Sequence, residues 1–273
     1  MKNICYTFFA VSLLLLGCKT NVLTGIKTLN FFDDNKPLFD MPLKQYETFL
    51  SEHEIVRGTE DAKLVSSIGK DIAKAAQIYF NYKGQPNLLN EYDWEYRLVK
   101  SDEVNAWCMP GGKIVFYTGI MPIAANPDGI AAIMGHEVAH ALADHGAQRM
   151  SMDILQHAGG MITAEVSKSQ EVRKRERIMM AYGIGTTVGG MLPFSRKYES
   201  EADKIGLELM TIAGYNPEEA PELWVRMKAQ SKGGQLEFLS THPSEERRIA
   251  NLKEWIPNAK ALAGEIKIIT NVN

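Results

Sequence analysis

The stretch Gly135–His140 constrains the fold of this chain more than any other part of its sequence. It reads HExxH, with His136 and His140 four residues apart. On an α-helix this spacing places both imidazoles on one face, where a single Zn²⁺ can bridge them. Glu137 can reach a water on such a metal without being a ligand, as a general base must. The motif alone also fits a solvated helix face, so it leaves metal binding open.

A catalytic zinc site needs a third protein ligand and an open coordination position. Glu199 and Asp203 are again four residues apart, in a segment whose apolar residues predict a partly buried helix. The two carboxylates share a face, so one can coordinate a metal while the other orients a ligand histidine. Glu201 lies about 200° around the same helix and points elsewhere.

Composition and charge exclude some classes of protein. The chain has 273 residues, of which 45% are apolar, enough for a packed core. Its formal net charge is −3 and it has no long basic run, which argues against nucleic acid as the main partner.

The N-terminus has the pattern of an export signal. Lys2 precedes an apolar run that is too short for a comfortable membrane span, and residues 1–17 are predicted to be a signal peptide. The ending Leu-Leu-Gly-Cys resembles a bacterial lipobox, in which cleavage after Gly17 leaves Cys18 as a lipid-modified N-terminus. An ordinary signal peptide and an N-terminal anchor helix are the alternatives.

The rest of the chain is predicted to be a tether at 18–42, one domain at 43–264 and a C-terminal tail at 265–273. Apolar residues at helical spacing predict a helix over 59–82. Alternation at Trp94, Tyr96 and Leu98 predicts a strand, and the Pro-Gly-Gly at 110–112 predicts a hairpin joining 104–109 to 113–118. Such a hairpin either offers an edge strand to an extended peptide or merely covers the core.

Three further segments lead to specific expectations. Cys108 would be the last cysteine left after export, and it is expected to be a packed strand residue and not a nucleophile. The HExxH helix is predicted to begin at an Asp128 cap and to run to about Met150, past His145 and Arg149. The uncharged, Gly-rich segment 178–194 favours a buried or flexible element, with a lid or a membrane contact as alternatives.

Several ordered motifs together resemble the zinc peptidase family of the CAAX prenyl protease and HtpX, and within it the soluble lipoprotein branch of the BepA and LoiP type. They are Asn105-Ala106 followed by Pro-Gly-Gly-Lys, HExxH followed by His145, ExxxD within Glu-Ala-Asp, and Thr-His-Pro at 241–243 leading to Arg248-Ile249. The resemblance extends from about Glu54 to the last helix. The set of transmembrane helices found in the membrane-embedded members is missing, so a prenylated CAAX substrate is not implied.

The resemblance implies an α+β, predominantly helical zincin-type domain, with a small sheet beside the HExxH helix and a second ligand helix. It also implies one Zn²⁺ per chain and a role for each motif residue. These roles are zinc ligands for His136, His140 and Glu199; catalytic base for Glu137; orienting carboxylate for Asp203; substrate-binding edge for Asn105 and Ala106; oxyanion stabilisation for His242 and Arg248.

The resulting functional prediction is a zinc endopeptidase in the bacterial periplasm, lipid-anchored through Cys18 to the outer membrane. Its expected substrates are unfolded or misassembled envelope proteins, with outer-membrane assembly machinery as a partner and no nucleic acid. The alternatives are a zinc-containing, chaperone-like module that binds outer-membrane proteins, and a structural partner of an envelope assembly. His242 has a second interpretation, since a histidine on a Pro-stiffened loop could occupy the open metal position and restrain a resting enzyme.

Overall fold

A computed structural model of the chain describes residues 18–21, 23, 25, 27–31, 37–231, 237–242 and 246–272. The predicted signal peptide, residues 1–17, lies outside the described residues. The chain divides into two compact units, one formed by 1–38 and 143–199 and the other by 39–142 and 200–273. Among the described residues, no helix combines the length and apolar character needed to cross a bilayer.

The first unit consists of a small hairpin and long helices. Strands β1 (Cys18–Thr20) and β2 (Lys27–Leu29) pair antiparallel. Helix α5 (His145–Val166) packs against β2 and against α6 (Val172–Thr186). A π-helical turn (Thr187–Met191) then leads into α7 (Leu192–Ile212), and the boundary between the units falls inside α7 after Glu199.

The second unit combines a small sheet with the remaining helices. In chain order its elements are α1 (Pro37–Glu52), β3 (Ile55–Val56), α2 (Glu60–Tyr82), β4 (Glu95–Val99), β5 (Ala106–Met109), β6 (Lys113–Tyr117), a 3-10 turn (Thr118–Ile120), α3 (Met121–Ala124), α4 (Pro127–Leu142), the end of α7, α8 (Glu219–Ser231), α9 (Glu237–Thr241) and α10 (Glu246–Val272). The predicted fold class, predominantly helical with a small sheet, is confirmed.

The sheet has strand order β3-β4-β6-β5, so β5 lies at one edge. The predicted hairpin is confirmed: β5 and β6 pair antiparallel, and Gly111 and Gly112 both adopt positive φ in the turn. β4 pairs parallel with β6, which the sequence pattern did not predict. Tyr46 of α1 clusters with Val115 and Tyr117 on one face of the sheet, while α2 and α4 pack against the strands.

Local sequence explains where the main helices begin. Thr59 caps α2 by accepting a hydrogen bond from the backbone N–H of Ala62, so the predicted helix over 59–82 is confirmed. For α4 the predicted cap was wrong. The side chain of Asn126 accepts from the backbone N–H of Gly129, whereas Asp128 accepts from the N–H of Asn216.

The HExxH helix ends earlier than the sequence predicted. α4 stops at Leu142, and α5 is a separate helix that starts at His145. Asp144 lies between them with a φ of 54°, a left-handed conformation that Asp tolerates better than most residues and that no α-helix can continue through. The chain therefore turns immediately after the motif.

Three segments differ from their predicted character. The predicted tether contains strands β1 and β2 and the start of α1, and the predicted C-terminal tail is helical as far as Val272. The prediction of a buried element at 178–194 was wrong for α6, which buries none of its residues. The apolar residues of that segment did not reveal which side of the helix would face solvent.

A close backbone contact joins the two helices that carry the candidate ligands. A Cβ on Gly206 of α7 would lie 2.7 Å from the backbone nitrogen of His136, and one on Gly135 of α4 would lie 2.7 Å from the carbonyl oxygen of Gly206. Both distances are too short for any residue other than glycine. The two helices can therefore cross at contact distance only here.

We expect Gly206→Ala to lower the free energy of unfolding by about 1–3 kcal/mol, because the added methyl group forces α4 and α7 apart. The same displacement should weaken metal binding. Urea unfolding and a chelator-competition titration measure the two effects. Gly264→Ala in α10, where a Cβ meets nothing within 4 Å, is the matched control and should leave metal binding unchanged. Unchanged metal affinity in Gly206→Ala would contradict the positioning role of this contact.

Candidate metal centre

Helix α4 brings the first three candidate residues together, as the HExxH spacing predicted. His136 and Glu137 are buried and His140 is half-buried. The Nε2 atoms of His136 and His140 are 3.1 Å apart. Two nitrogens bound to one tetrahedral zinc ion would lie about 3.3 Å apart, given metal–nitrogen bonds of about 2.0–2.1 Å. The two imidazoles are therefore spaced as ligands of one ion would be.

Asp203 of α7 determines the orientation of the His136 ring. Its Oδ1 lies 3.1 Å from Nδ1 of His136, and both side chains are buried. A hydrogen bond donated by Nδ1 leaves the lone pair of Nε2 directed toward His140. A carboxylate in this position behind a metal-binding histidine both selects the tautomer and increases the basicity of the ligand.

Arg248 of α10 lies behind Asp203. Its Nε donates to Oδ2 and its Nη2 donates to Oδ1, each at 2.6 Å. Its guanidinium also stacks on the ring of Trp224, 3.7 Å from the ring centroid. Burial alone raises the pKa of the Asp203 carboxyl, but Arg248 and His136 outweigh burial and hold that pKa below its usual value. Asp203 therefore stays ionised and accepts from both partners.

Glu199 lies one helical turn before Asp203 in α7 and is buried. His136, His140, Glu199 and His242 each contribute a nitrogen or oxygen atom, and these atoms all lie within 4.8 Å of one another. Two or three imidazoles with one carboxylate are a donor set that zinc accepts. The residues present thus fit a metal ion of this type, and the third ligand expected from the ExxxD pattern lies where it is required.

His242 also belongs to this cluster. Its Nδ1 lies 3.1 Å from Nε2 of His136, and its Nε2 lies 3.5 Å from Oε1 of Glu137. The backbone N–H of His242 donates to the carbonyl of Phe238 in α9, and the N–H of Phe238 donates to the carbonyl of Val104. The short helix α9 thereby connects His242 to the segment that enters strand β5.

Asn105 and Ala106, the predicted substrate edge, lie at the start of β5. The side chain of Asn105 accepts from the N–H of Ala106, and its carbonyl accepts from the N–H of Tyr117. β5 packs against α4 on the edge of the sheet. Its outer side has no partner strand in the described part of the chain, so an extended peptide could pair there. Substrate binding by this edge stays a prediction.

Cys108 lies in β5, as predicted. Burial raises the pKa of its thiol well above the usual value, and the carboxylate of Glu137 raises it further. A thiol held in its neutral form is a poor nucleophile. The structure therefore favours the interpretation of Cys108 as a packed strand residue.

The remaining predicted residues are not part of this cluster, and two residues that support it were missed. His145 stacks on Tyr198 within the first unit, and the side chain of Cys18 is outside the described set. Trp224 supports Arg248, and Phe238 packs against His242 with ring centroids 4.7 Å apart. No motif marks either aromatic residue; each occurs in an ordinary helical pattern.

Comparison with characterised proteins identifies relatives in two settings. The chain is 36% identical over 175 residues to the mitochondrial metalloendopeptidase OMA1 of Schizosaccharomyces pombe, covering 63% of this chain and 49% of that protein. It is 28% identical over 229 residues to the mitochondrial metalloendopeptidase OMA1 of Bos taurus, covering 79% and 43%. It is 27% identical over 165 residues to the beta-barrel assembly-enhancing protease of Escherichia coli K12, covering 59% and 34%. The chain spans about half or less of the length of these relatives.

The family itself is identified over most of the chain. The model of peptidase family M48 matches residues 62–256, a range that includes the HExxH motif, Glu199, Asp203, His242 and Arg248. These are the residues that meet at the candidate metal centre. The chain therefore belongs to peptidase family M48.

Proposed function

We propose that this protein is a zinc-dependent endopeptidase of the bacterial cell envelope. The observation that carries the proposal is the meeting of His136, His140 and Glu199 beside the buried carboxylate of Glu137. Membership of the peptidase family supports the same reaction class. His136, His140 and Glu199 would hold the metal.

A zinc ion bound by these residues would supply Lewis-acid activation of water and of the scissile carbonyl. Glu137 takes a proton from the attacking water and returns it to the leaving amine. Asp203 keeps the Nε2 lone pair of His136 directed at the metal, and Arg248 keeps Asp203 ionised. Since the contacts of Arg248 are with Asp203 and Trp224, we propose that it acts through Asp203 and not on the oxyanion.

The edge of β5 is the proposed substrate site. A peptide added there would be held through main-chain hydrogen bonds, which require an extended backbone more than a particular side chain. Unfolded or misassembled proteins meet that requirement, because their backbone is accessible. The name of the Escherichia coli relative connects it with β-barrel assembly, which supports envelope proteins as substrates and the assembly machinery as a partner.

The cellular location is proposed from the N-terminal sequence. The lipobox-like ending at Cys18 supports anchoring by acyl chains in the periplasm, at the outer membrane, and with it the lipoprotein branch of the family. The mitochondrial relatives place the same peptidase domain in a different organelle, so the domain does not determine the compartment.

The competing function is a zinc-containing binding module that holds outer-membrane proteins without cleaving them. Such a module needs the metal ligands for its fold, but it has no use for a carboxylate beside them. The burial of Glu137 next to the cluster favours the peptidase, because an ionisable group is costly to bury without a function.

Replacing Glu137 with Gln separates these two functions. The variant should retain zinc, since Glu137 is not a ligand, and cleavage of an unfolded protein such as casein should fall by about 10²- to 10⁴-fold. Zinc analysis and gel-based cleavage assays measure both quantities, with exposed Glu91→Gln as the control. Equal cleavage by the wild type and Glu137→Gln, with zinc present in both, would eliminate the proposed mechanism.

Replacing Asp203 with Asn tests the orienting carboxylate. We expect zinc affinity to fall by roughly 10- to 100-fold, because the tautomer of His136 is no longer selected. We also expect the free energy of unfolding to fall by about 3–5 kcal/mol, because Arg248 becomes a buried cation without a counter-ion. Chelator competition and urea unfolding measure these changes. Glu219→Gln, which breaks the 2.6 Å ion pair with Arg226, is the control and should affect stability alone.

His242 is proposed to restrain the resting enzyme. Its Nδ1 lies within the ligand cluster and its Nε2 faces the catalytic base, so it occupies both places that a substrate water needs. We expect His242→Ala to raise basal cleavage of casein severalfold, with zinc content unchanged. A fall in cleavage by about 10²- to 10³-fold would instead assign His242 to oxyanion stabilisation.

A further inference from the structure

The first unit exposes an apolar surface that the proposed catalytic reaction does not use. Among the described residues, every large apolar side chain that is more than half exposed lies on α5 or α6, with the exception of Ile268. These exposed residues are Met161, Ile162 and Val166 on α5, and Val172, Met180 and Ile184 on α6, at 58% to 76% exposure. We call these six residues and the basic residues of 168–177 the hairpin surface.

The contact between α5 and α6 explains why this surface faces outward. The hydroxyl of Tyr182 donates to the carbonyl of Gln156, and the Gln156 amide donates to the hydroxyl of Thr186. Gly159 lies so close to Tyr182 that a Cβ there would overlap its ring hydroxyl. The helices therefore already contact each other through polar and small residues, and the larger apolar residues are left on the outer sides.

The same hairpin concentrates positive charge. The chain as a whole has a net charge of −3, whereas the loop after α5 and the start of α6 contain five exposed basic residues against two acidic ones. The basic residues are Lys168, Arg173, Lys174, Arg175 and Arg177, and the acidic ones are Glu171 and Glu176. On α6, Arg173 and Arg177 project from the side that carries Val172 and Met180, given the helical step of about 100° per residue.

We propose that the hairpin surface binds the surface of an anionic phospholipid bilayer. Apolar side chains next to Arg and Lys are typical of helices that lie in the interfacial layer, where the apolar groups enter the acyl boundary and the cations meet lipid phosphates. Arg173, Glu176 and Arg177 lie among the apolar residues of α6, so this helix rests at the headgroup level. The binding is independent of the proposed peptidase activity.

A bilayer fits this surface better than a second copy of the chain. A symmetric dimer brings the same patch of both copies together, so the excess positive charge of one hairpin would face that of its partner. Phosphate groups neutralise this charge, and the acyl boundary accepts side chains of any shape. An anionic lipid surface therefore satisfies both properties of the hairpin.

The test compares co-sedimentation of the full chain with phosphatidylcholine vesicles and with vesicles of phosphatidylcholine and phosphatidylglycerol. The wild type should bind the anionic vesicles more tightly, and the difference should diminish with added salt. Each basic side chain near an anionic surface contributes about five-fold to the partition coefficient. The triple variant Arg173→Glu/Lys174→Glu/Arg177→Glu should therefore lose roughly a hundred-fold or more in binding to anionic vesicles.

Matched variants separate this effect from general charge and from the N-terminus. Arg57→Glu/Lys70→Glu/Lys74→Glu makes the same change of charge on exposed residues of the second unit and should have a much smaller effect. Residues 1–18 are identical in all these proteins, so their contribution to vesicle binding cancels. All variants should cleave casein at the wild-type rate, which verifies folding.

The apolar part of the surface is tested separately. Ile162→Gln/Met180→Gln/Ile184→Gln should weaken binding to anionic vesicles by roughly ten-fold or more. Leu43→Gln/Val225→Gln/Ile268→Gln, at other exposed apolar positions, should not. Equal binding to both vesicle types, or equal losses in the hairpin and control variants, would overturn the proposal. So would a dimer, detected by sedimentation, that the hairpin substitutions abolish without changing vesicle binding.

Discussion

The buried carboxylate of Asp203 is the group on which the geometry of the site depends. Removing a charge from water is costly, and Asp203 remains ionised only because Arg248 binds both of its oxygens and His136 faces one of them. The same contacts connect α4, α7 and α10. A metal ligand, the helix of the next ligand and the C-terminal helix are thus held by one set of charged hydrogen bonds.

The backbone contact of Gly135 with Gly206 makes these bonds geometrically feasible. Without side chains at the crossing, α4 and α7 approach closely enough for His136 and Asp203 to meet. Almost every residue of α4 from Gly129 onward is buried, so this helix is held on several sides. His242 is supported differently, through the short helix α9 and the aromatic ring of Phe238. A rigid ligand pair combined with a separately attached histidine is consistent with a site that opens when substrate binds.

Sequence periodicity was a good guide to single elements and a poor one to their ends and neighbours. The capped helix α2 and the hairpin around Gly111 and Gly112 follow from local patterns. The parallel pairing of β4 with β6 and the end of α4 before Asp144 do not. A parallel pair joins strands that are separated in sequence, and a left-handed Asp leaves no mark in an apolar pattern. The exposed hairpin of α5 and α6 was misjudged because apolar composition indicates burial without naming the partner.

The sequence by itself determined the chemistry of the centre: HExxH and ExxxD contain the imidazoles and carboxylates of a zinc peptidase at one-turn spacings, and such spacings are local properties of a helix. Only the tertiary structure decided how these groups are used. It placed His242 within reach of both His136 and Glu137, and it turned Arg248 toward Asp203 and Trp224. Contacts between residues distant in sequence depend on how helices cross, and helix crossing depends on packing across the whole core.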